Sequence, residues 1–248
     1  GDQIGLTITK VNAAEKHADN ALLIFDGTVF TGELMWYNDA NSESDVYAYY
    51  PYDAEGTPST YEAVADQTAG TGSADFMAAA KSGVLPSPNA ITMVFKHLMT
   101  KIVVNVDNQL KEEIADVWFT DVLGEVSFST ADHSDLKSIG STGTIKSYKN
   151  GDNTWQLIVA PQTASPKLAI TTASGKQYTF ILSDNVTFTS GKVSSATVEV
   201  SPESIYTAFT PEIEDWTADN ELNFSQEETD TPVNPDPIEP EDPETTGT

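Results

Sequence analysis

The chain has 248 residues, with 38 acidic side chains against 12 lysines, no arginine and no cysteine. That balance excludes a nucleic-acid binder, since no basic patch is available to neutralise phosphates. It also excludes disulfides, thiolate metal sites and the bidentate guanidinium clamp for phosphate or carboxylate substrates. Aromatic, Thr, Ser, Val and Gly residues are frequent and no long 3.6-period amphipathic segment occurs, which predicts an all-β protein. No apolar run approaches the roughly 20 residues of a membrane-spanning helix. A chain opening on Gly1 without Met reads as a mature or trimmed form.

Ile4, Leu6 and Ile8 alternate as a first strand. Residues 20–25 form a second, ending at Asp26-Gly27, a type I′ hairpin signal, with residues 28–30 and 33–37 pairing back. Residues 38–45 read as a polar loop, and 46–50 as a strand stopped by Pro51. Residues 55–73 read as a long loop, with Ser73 capping a short helix over 74–80. The stretch 91–107, ITMVFKHLMTKIVVNVD, reads as the strand around which the chain is organised. Ile91, Met93 and Phe95 alternate on one parity, and Ile102, Val104 and Val106 on the other. A β-bulge within residues 96–99 would bring both sets to one face. A helical alternative, with Phe95, Leu98, Met99 and Ile102 at i, i+3, i+4 and i+7, lasts about two turns only. This strand is expected to close a first domain, residues 1–107.

A second domain, 108–216, follows. It has strands over 114–119 and 126–129 around a Leu123-Gly124 turn, and a polar loop over 131–141. Residues 144–148 and 155–160 form a hairpin about Asn150-Gly151, the strongest such signal in the chain. Residues 167–172 and 177–182 form another about Ser174-Gly175, and 186–189 and 193–200 a third about Ser190-Gly191. Short strands at this spacing favour β-sandwiches. Acidity concentrates at the end: 14 acidic residues and no lysine lie between Pro202 and Thr248. Residues 205–209 and 213–216 can still pack on the second domain. From 217 to 248 an acidic, Pro-rich tail or spacer is expected, because little there can offset ordering entropy and Pro favours extended chain.

No constellation points to catalysis, a metal or a cofactor. His17 and His133 fall in polar loops and His97 in the bulge, without HxH or HExxH spacing. His97 is expected to pack or hydrogen-bond at the domain junction. Asp132-His133-Ser134 are sequence neighbours, whereas a catalytic triad is a spatial arrangement. Asp39, Asn41, Glu43 and Asp45 alternate in one loop as oxygen donors of the kind Ca²⁺ takes, but Ser44 and Tyr50 stand where an EF-hand needs Gly and Glu, so the loop reads as solvated. The tyrosines of residues 46–52 read as core and turn packing rather than a sugar platform.

Several motifs together resemble the fimbrillin-like (Mfa-like) family of Bacteroidales surface proteins. They are Gly1-Asp2-Gln3-Ile4-Gly5, Tyr49-Tyr50-Pro51-Tyr52, Asp75-Phe76-Met77-Ala78-Ala79, Phe95-Lys96-His97-Leu98-Met99-Thr100-Lys101-Ile102, Ala160-Pro161-Gln162-Thr163 and Phe188-Thr189-Ser190-Gly191-Lys192. Their order and spacing cover residues 1 to about 200. The resemblance implies two tandem transthyretin-like (Greek-key type) β-sandwich domains. It also implies export by a lipoprotein route, anchoring through precursor lipidation or assembly, and a place in outer-membrane fimbriae as a structural or adhesive subunit. Its partners would be other fimbrial subunits, joined by strand donation into a groove left when a first strand is removed, and a host glycan or protein receptor. Here the removable strand would carry Ile4, Leu6 and Ile8. The Pro-rich end makes a poor donor because Pro lacks the ladder N–H, so residues 205–209, anchored by Ile205 and Phe209, are the better candidate. A stand-alone glycan- or host-ligand-binding protein is the alternative, and a hydrolase a distant third.

Overall fold

A computed structural model describes residues 1–11, 15–34, 40–87, 89–182 and 184–201, and the backbone of 224–226. The first half contributes β1 (Gln3–Lys10), β2 (Lys16–Phe25), β3 (Phe30–Thr31), β4 (Ser44–Tyr50), β5 (Thr60–Glu62), β6 (Met77–Val84) and β7 (Lys96–His97). Six of these form one sheet in the order β3-β2-β1-β4-β6-β7, antiparallel throughout. The alternation of the first strand does what the sequence predicts. Ile4, Leu6 and Ile8 share a buried face with Leu23, Val46 and Ala48. The Asp26-Gly27 hairpin forms with a wider loop than a two-residue turn, since Phe25 pairs with Phe30. The Asp26 carboxylate accepts the N–H groups of Thr28 (2.8 Å) and Val29 (3.0 Å), and Gly27 takes φ +106°. Glu33 and Leu34 lie outside any strand, and residues 35–37 of the expected return strand are outside the described residues.

The expected helix over 74–80 is replaced by a single 3-10 turn, Gly72–Ala74, and by β6. Tyr49 pairs with Ala78 and Ala48 with Ala79, and both alanines are buried. Ladder bonds to β4 outweigh the weak intrinsic helix preference of an alanine run. Residues 16–19, including His17, belong to β2 rather than to a loop, and Ser44 and Asp45 belong to β4.

The second half contributes β8 (Thr100–Asn108), β9 (Ile114–Val122), β10 (Glu125–Ser127), β11 (Lys137–Ile139), β12 (Gly143–Lys146), β13 (Tyr148–Lys149) and β14 (Thr154–Val159). It continues with β15 (Gln162–Ala164), β16 (Lys167–Thr172), β17 (Gln177–Leu182), β18 (Val186–Phe188), β19 (Val193–Val200) and β20 (Phe224–Gln226). Sheets β13-β14-β8-β19 and β12-β9-β16-β17-β20 enclose one core, a β-sandwich holding Ile102, Val104, Phe119, Trp155, Leu168 and Phe180. The hairpin at Ser174-Gly175 forms as predicted; that at Asn150-Gly151 forms only through the short β13, because residues 143–146 (β12) of the expected first arm pair with β9 in the facing sheet.

Three sequence expectations are corrected here. The stretch 91–107 is not one bulged strand closing the first domain. Residues 91–95 lie outside any strand, β7 ends the six-stranded sheet, and β8 sits inside the second sandwich between β14 and β19. The change of parity marks a change of sheet: Met93 and Phe95 pack on the first core, Ile102, Val104 and Val106 in the second. The third hairpin does not form either. β18 pairs with β15, while β19 runs parallel to β8, a pairing that no tight turn can make. Finally, the segment from 217 is not wholly outside the fold, because β20 pairs antiparallel with β17. Residues 202–223 and 227–248, with Ile205 and Phe209, lie outside the described residues.

Between the halves stands a third sheet, β11-β10-β5, which takes β5 from the loop expected over 55–73 and β11 from the loop expected over 131–141.

Candidate functional site

β1 is a central strand. It pairs with β2 on one side and β4 on the other, and its row Ile4, Leu6 and Ile8 is buried. Further bonds hold its start: Phe25 N–H to Asp2 O (2.9 Å) and Tyr52 N–H to Gln3 O (3.2 Å). Removing such a strand uncovers both an apolar row and two unpaired ladders. On its other face, Thr7 Oγ1 accepts the N–H of Asn20 (3.2 Å), and Gly5 lies under the ring of Tyr49. Tyr49 is fixed in turn. Its hydroxyl donates to Asn20 Oδ1 (2.5 Å) and accepts the N–H of Asp53 (3.2 Å), and burial pushes its ionisation up to about 12. The structure thus brings Ile4, Leu6 and Ile8 together, whereas Ile205 and Phe209 fall outside the described residues.

The motifs that carried the resemblance meet at the junction of the two halves. Phe76 is fully buried, with its ring centroid 4.8 Å from Phe128, 4.9 Å from Tyr61 and 5.9 Å from Tyr49. Met99 and Ala160, from two more of these motifs, belong to the same core. Leu98 N–H donates to Phe76 O (2.8 Å), Gly191 N–H to Met99 O (2.8 Å), and Thr100 Oγ1 to Thr189 O (2.8 Å). Gly191 takes φ +70°, and a Cβ there would meet His97 O at 3.0 Å. His97 Nδ1 lies 2.5 Å from Asp75 Oδ2, so it hydrogen-bonds at the junction as expected.

Two glutamines act as surrogate strands, which sequence reasoning missed. Gln67 is fully buried. Its amide donates to Ile158 O (2.8 Å) and accepts Ile158 N–H (2.8 Å), clamping the first half's loop onto β14. Gln162 does the same with Leu123, at 2.9 and 3.1 Å. A primary amide offers the donor and acceptor of a peptide group, so it can end a ladder without a strand.

His133 was also missed as a core residue, because its neighbours are polar. Ser134 donates its hydroxyl and its N–H to Asp132 Oδ1 (2.7 and 3.1 Å), a local turn and not a triad. The imidazole is buried among Phe128, Phe76 and Tyr49, at centroid distances of 5.3, 5.8 and 5.7 Å. Burial pushes its pKa down to about 4 from an ordinary 6.5, with Asp132 opposing. The folded chain therefore holds it neutral while the unfolded chain takes a proton. Stability from this residue is complete above about pH 6.5 and declines as pH falls toward 4, by roughly 3 kcal/mol in all. His133→Asn, which tolerates the native φ of +54°, is expected to flatten that part of a melting-temperature profile. An unchanged slope would assign the acid sensitivity elsewhere.

The first strand is thus central in its sheet, and an aromatic junction lies between the sheets of the two halves. The chain belongs to the fimbrillin-like family, whose model matches residues 1–216. Over 60 residues, 24% of this chain, it is 38% identical to "Putative fimbrium tip subunit Fim1C" of Bacteroides ovatus, a match spanning about a tenth (11%) of that relative's length. Among solved structures, a "putative cell adhesion protein" from Bacteroides uniformis superposes with a TM-score of 0.71 at 20% identity, covering 88% of this chain and 92% of that one. The tip fimbrial protein Mfa3 of Porphyromonas gingivalis, with C-terminal truncation, gives 0.53 at 9% identity over 84% and 92%. At these identities the likeness is one of fold.

Proposed function

We propose that this chain is a structural or adhesive subunit of a bacterial surface fimbria, joined to neighbouring subunits by strand donation. The observation that carries the reading is the central place of β1, whose departure would open a slot with two unpaired ladders and the seats of Ile4, Leu6 and Ile8. An incoming strand re-forms both ladders and buries the apolar row, which is β-augmentation. Residues 205–209, through Ile205 and Phe209, are the segment this chain would donate to a neighbour. We read the body as two tandem transthyretin-like sandwiches, the first running to His97 rather than Asp107 because β8 belongs to the second. An acidic, Pro-rich spacer follows β20. Partners are other fimbrial subunits and a host glycan or protein receptor, with anchoring near the outer membrane through precursor lipidation or assembly. The name of the Bacteroides ovatus relative favours a place near the tip.

The test is cleavage of the full chain at a protease site introduced between β1 and β2, followed by light scattering and addition of a labelled peptide of residues 1–10. The nicked chain is expected to release β1 and recapture the peptide, and to form larger species with partner subunits. A chain that keeps β1 irreversibly and stays monomeric, or that captures no strand, would overturn the reading. Retention of a glycan by such a monomer would mark a stand-alone binding protein.

A further inference from the structure

The seat of β1 is not uniform along its length. Toward one face it offers three apolar positions, filled by Ile4, Leu6 and Ile8. Toward the other it offers a hydrogen-bond donor at Thr7, the N–H of Asn20. At Gly5 it offers no room at all. A Cβ there would lie 2.2 Å from Cε1, 2.5 Å from Cζ and 2.7 Å from Oη of Tyr49, all far inside van der Waals contact. The ring cannot swing clear. It is 2% exposed, stacked at 18° on Phe76, and held at its hydroxyl by Asn20 and Asp53. Gly5 is absent from the positive-φ residues, so its demand is for space and not for backbone freedom.

Resting on the strand-donation reading, we infer that the slot between β2 and β4 selects its strand by a glycine. The accepted strand belongs to a different subunit and carries apolar-glycine-apolar-(Thr or Ser)-apolar, and Tyr49 is the residue that enforces the rule. Within this sequence only Ile4-Gly5-Leu6-Thr7-Ile8 has that pattern. The candidate donor of this chain, Ile205-Tyr206-Thr207-Ala208-Phe209, sets Tyr206 at the glycine position, or Ala208 if the strand runs the other way. Tyr206 does not fit beneath the Tyr49 ring, and the reversed strand adds to the crowded Ala208 a polar Thr207 in the apolar seat of Leu6 and Tyr206 at the place of Thr7. A copy of this chain therefore cannot complete another copy, and the assembly alternates or terminates with a second kind of subunit.

The experiment uses the nicked full chain and fluorescent peptides: residues 1–10 as they stand, the same with Gly5→Ala or Gly5→Val, and residues 203–210. The unaltered peptide is expected to exchange into the slot. Gly5→Ala should weaken it by at least about tenfold, the scale of overpacking a tight contact. Gly5→Val and residues 203–210 should fail to compete. Equal capture of the unaltered and Gly5→Val peptides overturns the glycine rule while leaving strand donation intact. Failure of every peptide, the unaltered one included, removes strand donation and the rule together. Competition by residues 203–210 overturns the requirement for a different subunit. The uncut protein gives an independent check through a double-mutant cycle. The fall in melting temperature caused by Gly5→Ala should shrink in a Tyr49→Leu background, and an equal fall in both backgrounds would clear Tyr49 of the role.

Discussion

Val104→Asp is expected to unfold the protein or abolish its soluble expression. Val104 is fully buried in β8, opposite Trp155 of β14 on one side and Ala196 of β19 on the other. Its neighbours in the core are aliphatic and aromatic, and the chain has no arginine to follow a carboxylate inward. An unpaired carboxylate in such a place costs about 3–5 kcal/mol, a large part of the roughly 5–15 kcal/mol that holds a domain folded. The control is Val103→Asp, one residue earlier and on the opposite face of the strand, where the side chain is only partly buried. The two variants should differ sharply in thermal melting and in soluble yield. Near-wild-type melting of Val104→Asp would mean that β8 does not face the sandwich core.

Phe76→Ala has the next largest effect. Among the described residues, the Phe76 ring lies against Tyr49 of the first sheet, Tyr61 of β5, Phe128 just after β10, and His133. Truncating a buried Phe costs about 3–5 kcal/mol through lost burial and the cavity left behind. For a chain of this size that corresponds to a fall in melting temperature on the order of 10 °C. The loss should also be local. Hydrogen exchange is expected to quicken in β5, β6 and β10, which meet at this ring, before it quickens in β16 and β17. Phe180→Ala, in the core of the second sandwich, should show the reverse order. A fall below about 3 °C for Phe76→Ala, or uniform exchange, would show that the junction is not held by this cluster.

The two expectations bear on assembly. On the subunit role proposed above, load would pass from one neighbour to the next, so the coupling of the halves would matter as much as either core. In this molecule the coupling is made of Phe76 and its ring partners, the Gln67–Ile158 clamp, and the sheet β11-β10-β5 assembled from both halves. The Tyr49 ring links that junction to β1, since it lies over Gly5 on one side and stacks on Phe76 on the other. A side chain added at Gly5 would thus press on the contact between the halves as well as on the ladder of β1.

Local pattern decided a great deal. Alternation of Ile4, Leu6 and Ile8, of Ile102, Val104 and Val106, and of Tyr178, Phe180 and Leu182 marks buried faces correctly, because side chains in a strand alternate whatever the partner. Asn150-Gly151 and Ser174-Gly175 turn where turn chemistry says they should, and the six family motifs carry the family. What the sequence could not decide is which sheet each strand joins. The parity slip near His97 is compatible with a bulge or with a crossing between sheets. β19 is compatible with a hairpin to β18 or with a parallel place beside β8. Residues 77–80 are compatible with a helix until β4 supplies a ladder. His133 carries no mark of burial until three aromatic rings close round it. In each case the deciding contact comes from far along the chain, as the sequence separation of 91 between Gln67 and Ile158 illustrates. Periodicity reports that a face is buried, and only tertiary packing determines what buries it.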